Sequence, residues 1–154
     1  MKDNKNGFKL YNVIFPFWML IMFPYFWLVI FPANFIIDSL VLILAMIALK
    51  IQNKKDYYKK HIVKIFSFGM ISDMIGSLYM LGIMYALSFL EVDFDIEDLR
   101  LTVPAIILSA ALIFILNYFV TFRKDERRER FKISLIFAVV TAPYTFLIPL
   151  SWMY

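Results

Sequence analysis

The chain reads as an all-α membrane protein, a bundle of about five transmembrane helices, and three observations predict this. Hydrophobic residues make up 62% of its 154 positions, against roughly 45–50% in a soluble domain. The apolar residues gather into runs long enough to cross a bilayer, whose core of about 30 Å takes about 20 residues of helix. Every Lys and Arg except Arg100 lies in one of three stretches, residues 2–9, 50–64 and 123–132, and an acidic stretch at 91–98 separates the last two. Apolar spans divided by breaks of alternating charge follow from the positive-inside rule, which keeps basic loops cytoplasmic.

The spans follow in order. Residues 13–31 come first, with Pro16 at the start, Pro24 as a kink and Pro32 as the end, since proline lacks the N–H that continues a helix. The first run follows a basic tail as a signal peptide would, but it is long, holds two prolines and lacks a small-x-small cleavage site, so it is expected to be retained. A re-entrant hairpin here would leave the basic tail and the basic break at 50–64 on opposite faces, which favours a full crossing. The sequence Phe-Pro-Ala-Asn at 31–34 is expected to turn the chain into a second span, 35–50. Residues 62–90 exceed one crossing and are expected to tilt or to extend into the cytoplasm. Residues 101–122 and 133–154 complete the set. All 154 residues then form one integral membrane domain, with the N-terminus cytoplasmic and the acidic loop and C-terminus outside. Trp18 near one face and Trp152 and Tyr154 near the other suit the interfacial belts, and Trp27 suits either helix packing or the outer belt.

Function in such a chain is sought in polar residues inside the apolar runs. Asp38, Asp73 and Asn117 are the main ones, and an Asp at a helix centre costs about 2.5–3.5 kcal/mol on insertion scales. Helical spacing puts Asn34, Asp38, Val41, Ala45 and Ala48 on one face, and Gly69, Asp73, Gly76, Ser77 and Met80 on another. Ala110, Asn117 and Thr121 share a face of the fourth span, as do Ala138, Thr141, Ala142 and Thr145 of the fifth. Small residues let helices approach closely, so these stripes are expected to face other helices. Counting from the nearest basic residue, Asp38, Asp73 and Asn117 stand about 18, about 14 and about 9 Å above the cytoplasmic side. Converging faces would make a staggered polar path of Asp38, Asp73, Asn117, Asn34 and Ser77. The plainer reading has Asn34 capping its helix, Asp38 near the positive end of the helix dipole, and Asp73 bonding Asn117 or a Ser to lock the packing.

The basic breaks are expected to lie on an anionic inner leaflet, with Lys54, Lys55, Lys59, Lys60, Arg127 and Arg128 touching lipid headgroups. Tyr57 and Tyr58 place the 54–64 loop on those headgroups, and His61 reads as an interfacial side chain. With no Cys and one His, disulfides, thiol chemistry and His- or Cys-based metal sites are excluded, so no metal or cofactor is expected. The acidic loop has neither the spacing nor the Gly turn of a calcium loop. No nucleic-acid-reading motif, phosphate loop or catalytic constellation appears. The two Asp contexts, Ile-Ile-Asp38-Ser and Ile-Ser-Asp73-Met, lack the Gly-rich surroundings of intramembrane aspartyl proteases.

Two function classes remain. One is a transporter or channel, or a subunit of one, using the polar path. The other is an accessory, assembly or regulatory subunit that binds another membrane protein. A chain this small encloses a path only as a homo-oligomer or beside a larger membrane partner. The Lys-, Ile-, Asn- and Phe-rich usage points to an AT-rich bacterial genome, and so to a multi-pass protein of the bacterial plasma membrane.

Overall fold

The computed structural model describes residues 24–90 and 99–144. Four α-helices and one π-helical segment make up most of them: α1 (Pro24–Ala48), α2 (Lys54–Phe89), α3 (Leu99–Leu116), the π segment Asn117–Thr121, and α4 (Arg127–Val140). Three stretches are long and apolar enough to cross a membrane: Phe31–Ala48 of α1, α2, and Leu99–Thr121, in which α3 and the π segment run together. The structure is thus all-helical, with the apolar helices of a membrane protein.

α1 runs straight through the turn expected at 31–34, with Pro32 inside the helix. Proline has no N–H to offer the carbonyl of Leu28, so one rung of the ladder is missing. In an apolar solvent an open turn would strand several backbone groups instead of one, which is why proline is tolerated in membrane helices. Residues expected to belong to two spans therefore share one helix from Pro24 onward, and residues 13–23 lie outside the described part. α1 ends in two crossed bonds, Ile51 N–H to the Met46 carbonyl at 3.0 Å and Lys50 N–H to the Ile47 carbonyl at 3.2 Å. Lys50 sits in the left-handed region at φ 54°, the position that usually falls to glycine in this C-terminal motif.

α2 begins at Lys54, not at 62, and its 36 residues span about 54 Å. That is well beyond the bilayer core. Its first turns carry Lys54, Lys55, Lys59, Lys60 and Lys64, whereas residues 65–89 hold no Lys or Arg. The basic turns thus lie outside the apolar stretch. What read as a loop at 54–64 is the start of this helix.

α3 passes into the π segment at Asn117, where the Phe122 N–H reaches the Asn117 carbonyl five residues back at 2.9 Å. The extra residue in this turn moves Phe122 into the interior, where it is fully buried. α4 starts at Arg127 and ends at Val140. Its first turns are charged, and Pro143 stops any continuation shortly beyond its end. The uninterrupted fifth span expected at 133–154 is therefore broken at 141–144, and residues 145–154 lie outside the described part.

The core gathers at the basic end. Leu42 and Met46 of α1, Ile62 and Ile65 of α2, Ile113, Phe122, and Ile133 and Phe137 of α4 pack together there. α2 is the central helix, contacting α1, α3 and the π segment, while α4 closes the basic end against α1 and α3. Away from that end the buried residues of α2 and α3 are, apart from Met84, small: Ser72 and Gly76 of α2 and Thr102, Ala105 and Ser109 of α3, with Ser109 bonded to Ser72. Small side chains let two backbones approach closely without a large apolar core.

Candidate functional site

The polar residues divide between two seams on either side of α2. On the α1–α2 seam, Asp38 is 6% exposed and its carboxylate lies against Gly69, where a Cβ would stand 3.7 Å from Oδ2. Asn34, one turn earlier on α1, donates its side-chain N–H to the Met70 sulfur at 3.3 Å. Asp73, one turn beyond Gly69 on α2, lies within Coulombic range of Asp38. Its Oδ1 is buried and has no hydrogen-bond partner. Asp38 and Asp73, drawn from two helices, are thus brought together beside a glycine. Ser77 does not join them through its side chain, since its hydroxyl donates to the Asp73 backbone carbonyl at 2.9 Å.

The α2–α3 seam holds a second polar row. Thr102, Ala105, Ser109, Ile113, Asn117 and Thr121 are buried, at spacings of three and four that put them on one face. Ser109 Oγ donates to the Ser72 carbonyl at 3.1 Å, which sets the register of α3 on α2. Asn117 follows Ser109 by eight residues, about 12 Å further toward the basic end. It is 0% exposed, and neither its amide nitrogen nor its oxygen has a partner. Asp73 Oδ1 is also unpartnered, so no bond joins it to Asn117. The expected faces therefore supply an Asp38–Asp73 pair on one seam and Asn117 with Thr121 on the other.

At the basic end the chemistry is held in an aromatic cluster. The Tyr57 hydroxyl donates to Asp125 Oδ2 across the bundle. Burial and this hydrogen bond push the Tyr57 hydroxyl well above the ordinary phenol range. His61 is not interfacial: it is 1% exposed, packed between the rings of Tyr57 and Phe122 at 4.2 and 5.2 Å. Its Nδ1 lies 2.9 Å from the Tyr57 carbonyl, which only accepts, so Nδ1 carries the hydrogen. Burial lowers its pKa below the usual histidine value. The Tyr58 hydroxyl shares a 2.7 Å hydrogen bond with Ser39 of α1. Tyr58 thus ties α2 to α1, and Tyr57 ties α2 to the turn that precedes α4. Lys54, Lys55, Lys59, Lys60, Arg127 and Arg128 are all exposed.

Ser72, Ser109 and Thr102 are polar contributors that the sequence did not single out. Serine and threonine are common in membrane helices, and nothing in their local pattern separates a seam residue from one facing lipid. Among the described residues no group of three or more His, Asp and Glu could hold a metal ion. Chemically, the α1–α2 seam offers two carboxyls that can take up a proton or a small cation, and the basic end offers a cationic surface. Comparison with protein-family models, curated proteins and solved structures gives no match to this chain.

Proposed function

We propose that this protein is a small transporter or channel, or a subunit of one, in which the Asp38–Asp73 pair binds a proton or a small cation within the membrane. One observation carries the reading: the buried Asp38 carboxylate lies against Gly69, Asp73 stands one turn further along the same helix within Coulombic range of it, and one buried Asp73 oxygen has no partner. α1 contains no Lys or Arg, and α2 contains none from 65 onward. Intramembrane carboxyls need a partner, water or a proton, and such residues mark ion and proton pathways. In the orientation that goes with this reading, the basic end lies in the cytoplasm and residues 91–98 lie outside, as the positive-inside rule requires. The plasma membrane of a bacterium is the proposed location, and a second copy or a larger membrane protein would enclose the path.

Purified protein in liposomes, with proton and Na⁺ or K⁺ gradients imposed in turn, tests this. Flux should appear with at least one ion, and Asp38→Asn and Asp73→Asn should each lower it at least tenfold while helicity and yield stay as in the parent. Wild-type flux in both variants would overturn the reading. Absence of flux together with a stoichiometric membrane partner in mild detergent would overturn it in favour of an accessory subunit.

A further inference from the structure

A cleft of about 380 Å³ opens at the basic end between the first turns of α2 and the turn that follows the π segment. Lys60 and Lys64 line one wall, and Arg123 and Lys124 line the other. Lys60 and Lys64 are one helical turn apart and so share a face. Arg123 and Lys124 occupy the middle of a turn closed by the Asp125 N–H on the Phe122 carbonyl at 3.0 Å. The π bond just before it buries Phe122 and leaves these two cations facing outward.

Two further features make this a built site. Thr121 lines the cleft at only 4% exposure, and its Oγ1 has no hydrogen-bond partner. The turn is also tied to α2, because Asp125 accepts from Tyr57. That bond holds the Arg123–Lys124 turn against the helix that carries Lys60 and Lys64. It also turns the Asp125 carboxylate toward Tyr57, so that carboxylate keeps its charge but forms no ion pair with the four cations of the cleft. Four cations around one partly enclosed space repel one another until an anion joins them.

We infer that this cleft binds a phosphate group, with Lys60, Lys64, Arg123 and Lys124 around its oxygens and the Thr121 hydroxyl donating from the floor. A guanidinium and several ammonium groups suit a phosphate, which accepts many charge-assisted hydrogen bonds. The phosphate belongs to an anionic lipid headgroup or to a soluble phosphate compound, and the site takes the same chemistry from either. The site is independent of the carboxyl pair and of any flux through it.

The test uses full-length protein in a neutral detergent. Native mass spectrometry with added phosphatidylglycerol or phosphatidylcholine reads lipid retention, and calorimetry with inorganic phosphate and with pyrophosphate reads soluble binding. Lys60→Gln with Lys64→Gln, and separately Arg123→Gln with Lys124→Gln, should weaken binding at least tenfold, and Thr121→Val should weaken it severalfold. A control with Lys54, Lys55 and Lys59 all changed to Gln, which removes equal or greater charge from the neighbouring groove, should change it less than twofold. Retention of phosphatidylglycerol over phosphatidylcholine identifies a headgroup site, whereas tight inorganic phosphate or pyrophosphate binding without lipid retention identifies a soluble ligand. Equal losses in the control and the cleft variants would overturn the inference, as would binding of neither phosphate source.

Discussion

Gly69 and His61 show how much single side chains decide in this molecule. Gly69 leaves room for the Asp38 carboxylate, and a Cβ there would meet Oδ2 at 3.7 Å, an ordinary contact distance. Gly69→Ala is therefore expected to keep the fold and any flux within about twofold, whereas Gly69→Leu should push the Asp38 side chain aside and abolish flux. Thermal unfolding in detergent separates this from simple loss of fold. His61 is buried and its folded pKa is lowered. As pH falls below the ordinary value of about 6.5, the unfolded chain takes up the proton first, so stability declines, by at most about 1.4 kcal/mol per pH unit for one group. Above that pH this contribution is flat. Melting temperature should drop between pH 7 and pH 5, and His61→Gln should remove the part of the slope due to this ring. An unchanged slope in the variant would assign the acid sensitivity to other groups.

At the level of elements, the ends of the helices depart most from what the sequence implies. The 31–34 segment carries turn residues, yet it lies within α1, because backbone satisfaction in an apolar solvent outweighs one missing proline bond. The reverse occurs at Lys50, where a non-glycine residue takes a left-handed conformation at φ 54° to close the α1–α2 turn. That conformation costs about 1–2 kcal/mol in an L-residue. Lys50→Gly should therefore stabilise the protein by about 1 kcal/mol, seen as a higher melting temperature; destabilisation would mean that the lysine side chain matters more than its backbone. The π segment is the third such place. The Arg130 guanidinium lies 4.0 Å from the Tyr118 ring centre, holding the start of α4 against this irregular turn. Cation–π contacts of this kind contribute about 0.5–2 kcal/mol.

For the molecule as a whole, charge sets one end against the other. The large apolar core lies at the basic end, while beyond it the buried residues of α2 and α3 are, Met84 apart, small. The chain has no cysteine, so single cysteines report on topology without background. In the proposed orientation, Lys55→Cys should label only after the membrane is permeabilised, and Asp95→Cys should label from outside in intact cells. Labelling of both from the same side would refute the orientation.

All-helical, apolar architecture was legible in the sequence because it rests on composition and on charge spacing along the chain, which need no knowledge of packing. Of the face expected from 3.6-residue periodicity, Asn34, Asp38, Val41, Ala45 and Ala48, the middle three are buried, Asn34 is half-buried and Ala48 is exposed. Which faces meet was not legible. Asp38 and Asp73 both lie on the α1–α2 side, within Coulombic range of each other, while Asn117 shares the buried face of α3 with Ser109, a division set by helix crossing and by the Ser109–Ser72 register. Three readings of local sequence were changed by surroundings that neighbours along the chain do not show. Pro32 stays in a helix because the apolar solvent penalises open backbone groups, while His61 enters the core and Lys60, Lys64, Arg123 and Lys124 converge on one cleft because contacts between distant segments, not neighbours along the chain, set the free energy of those positions.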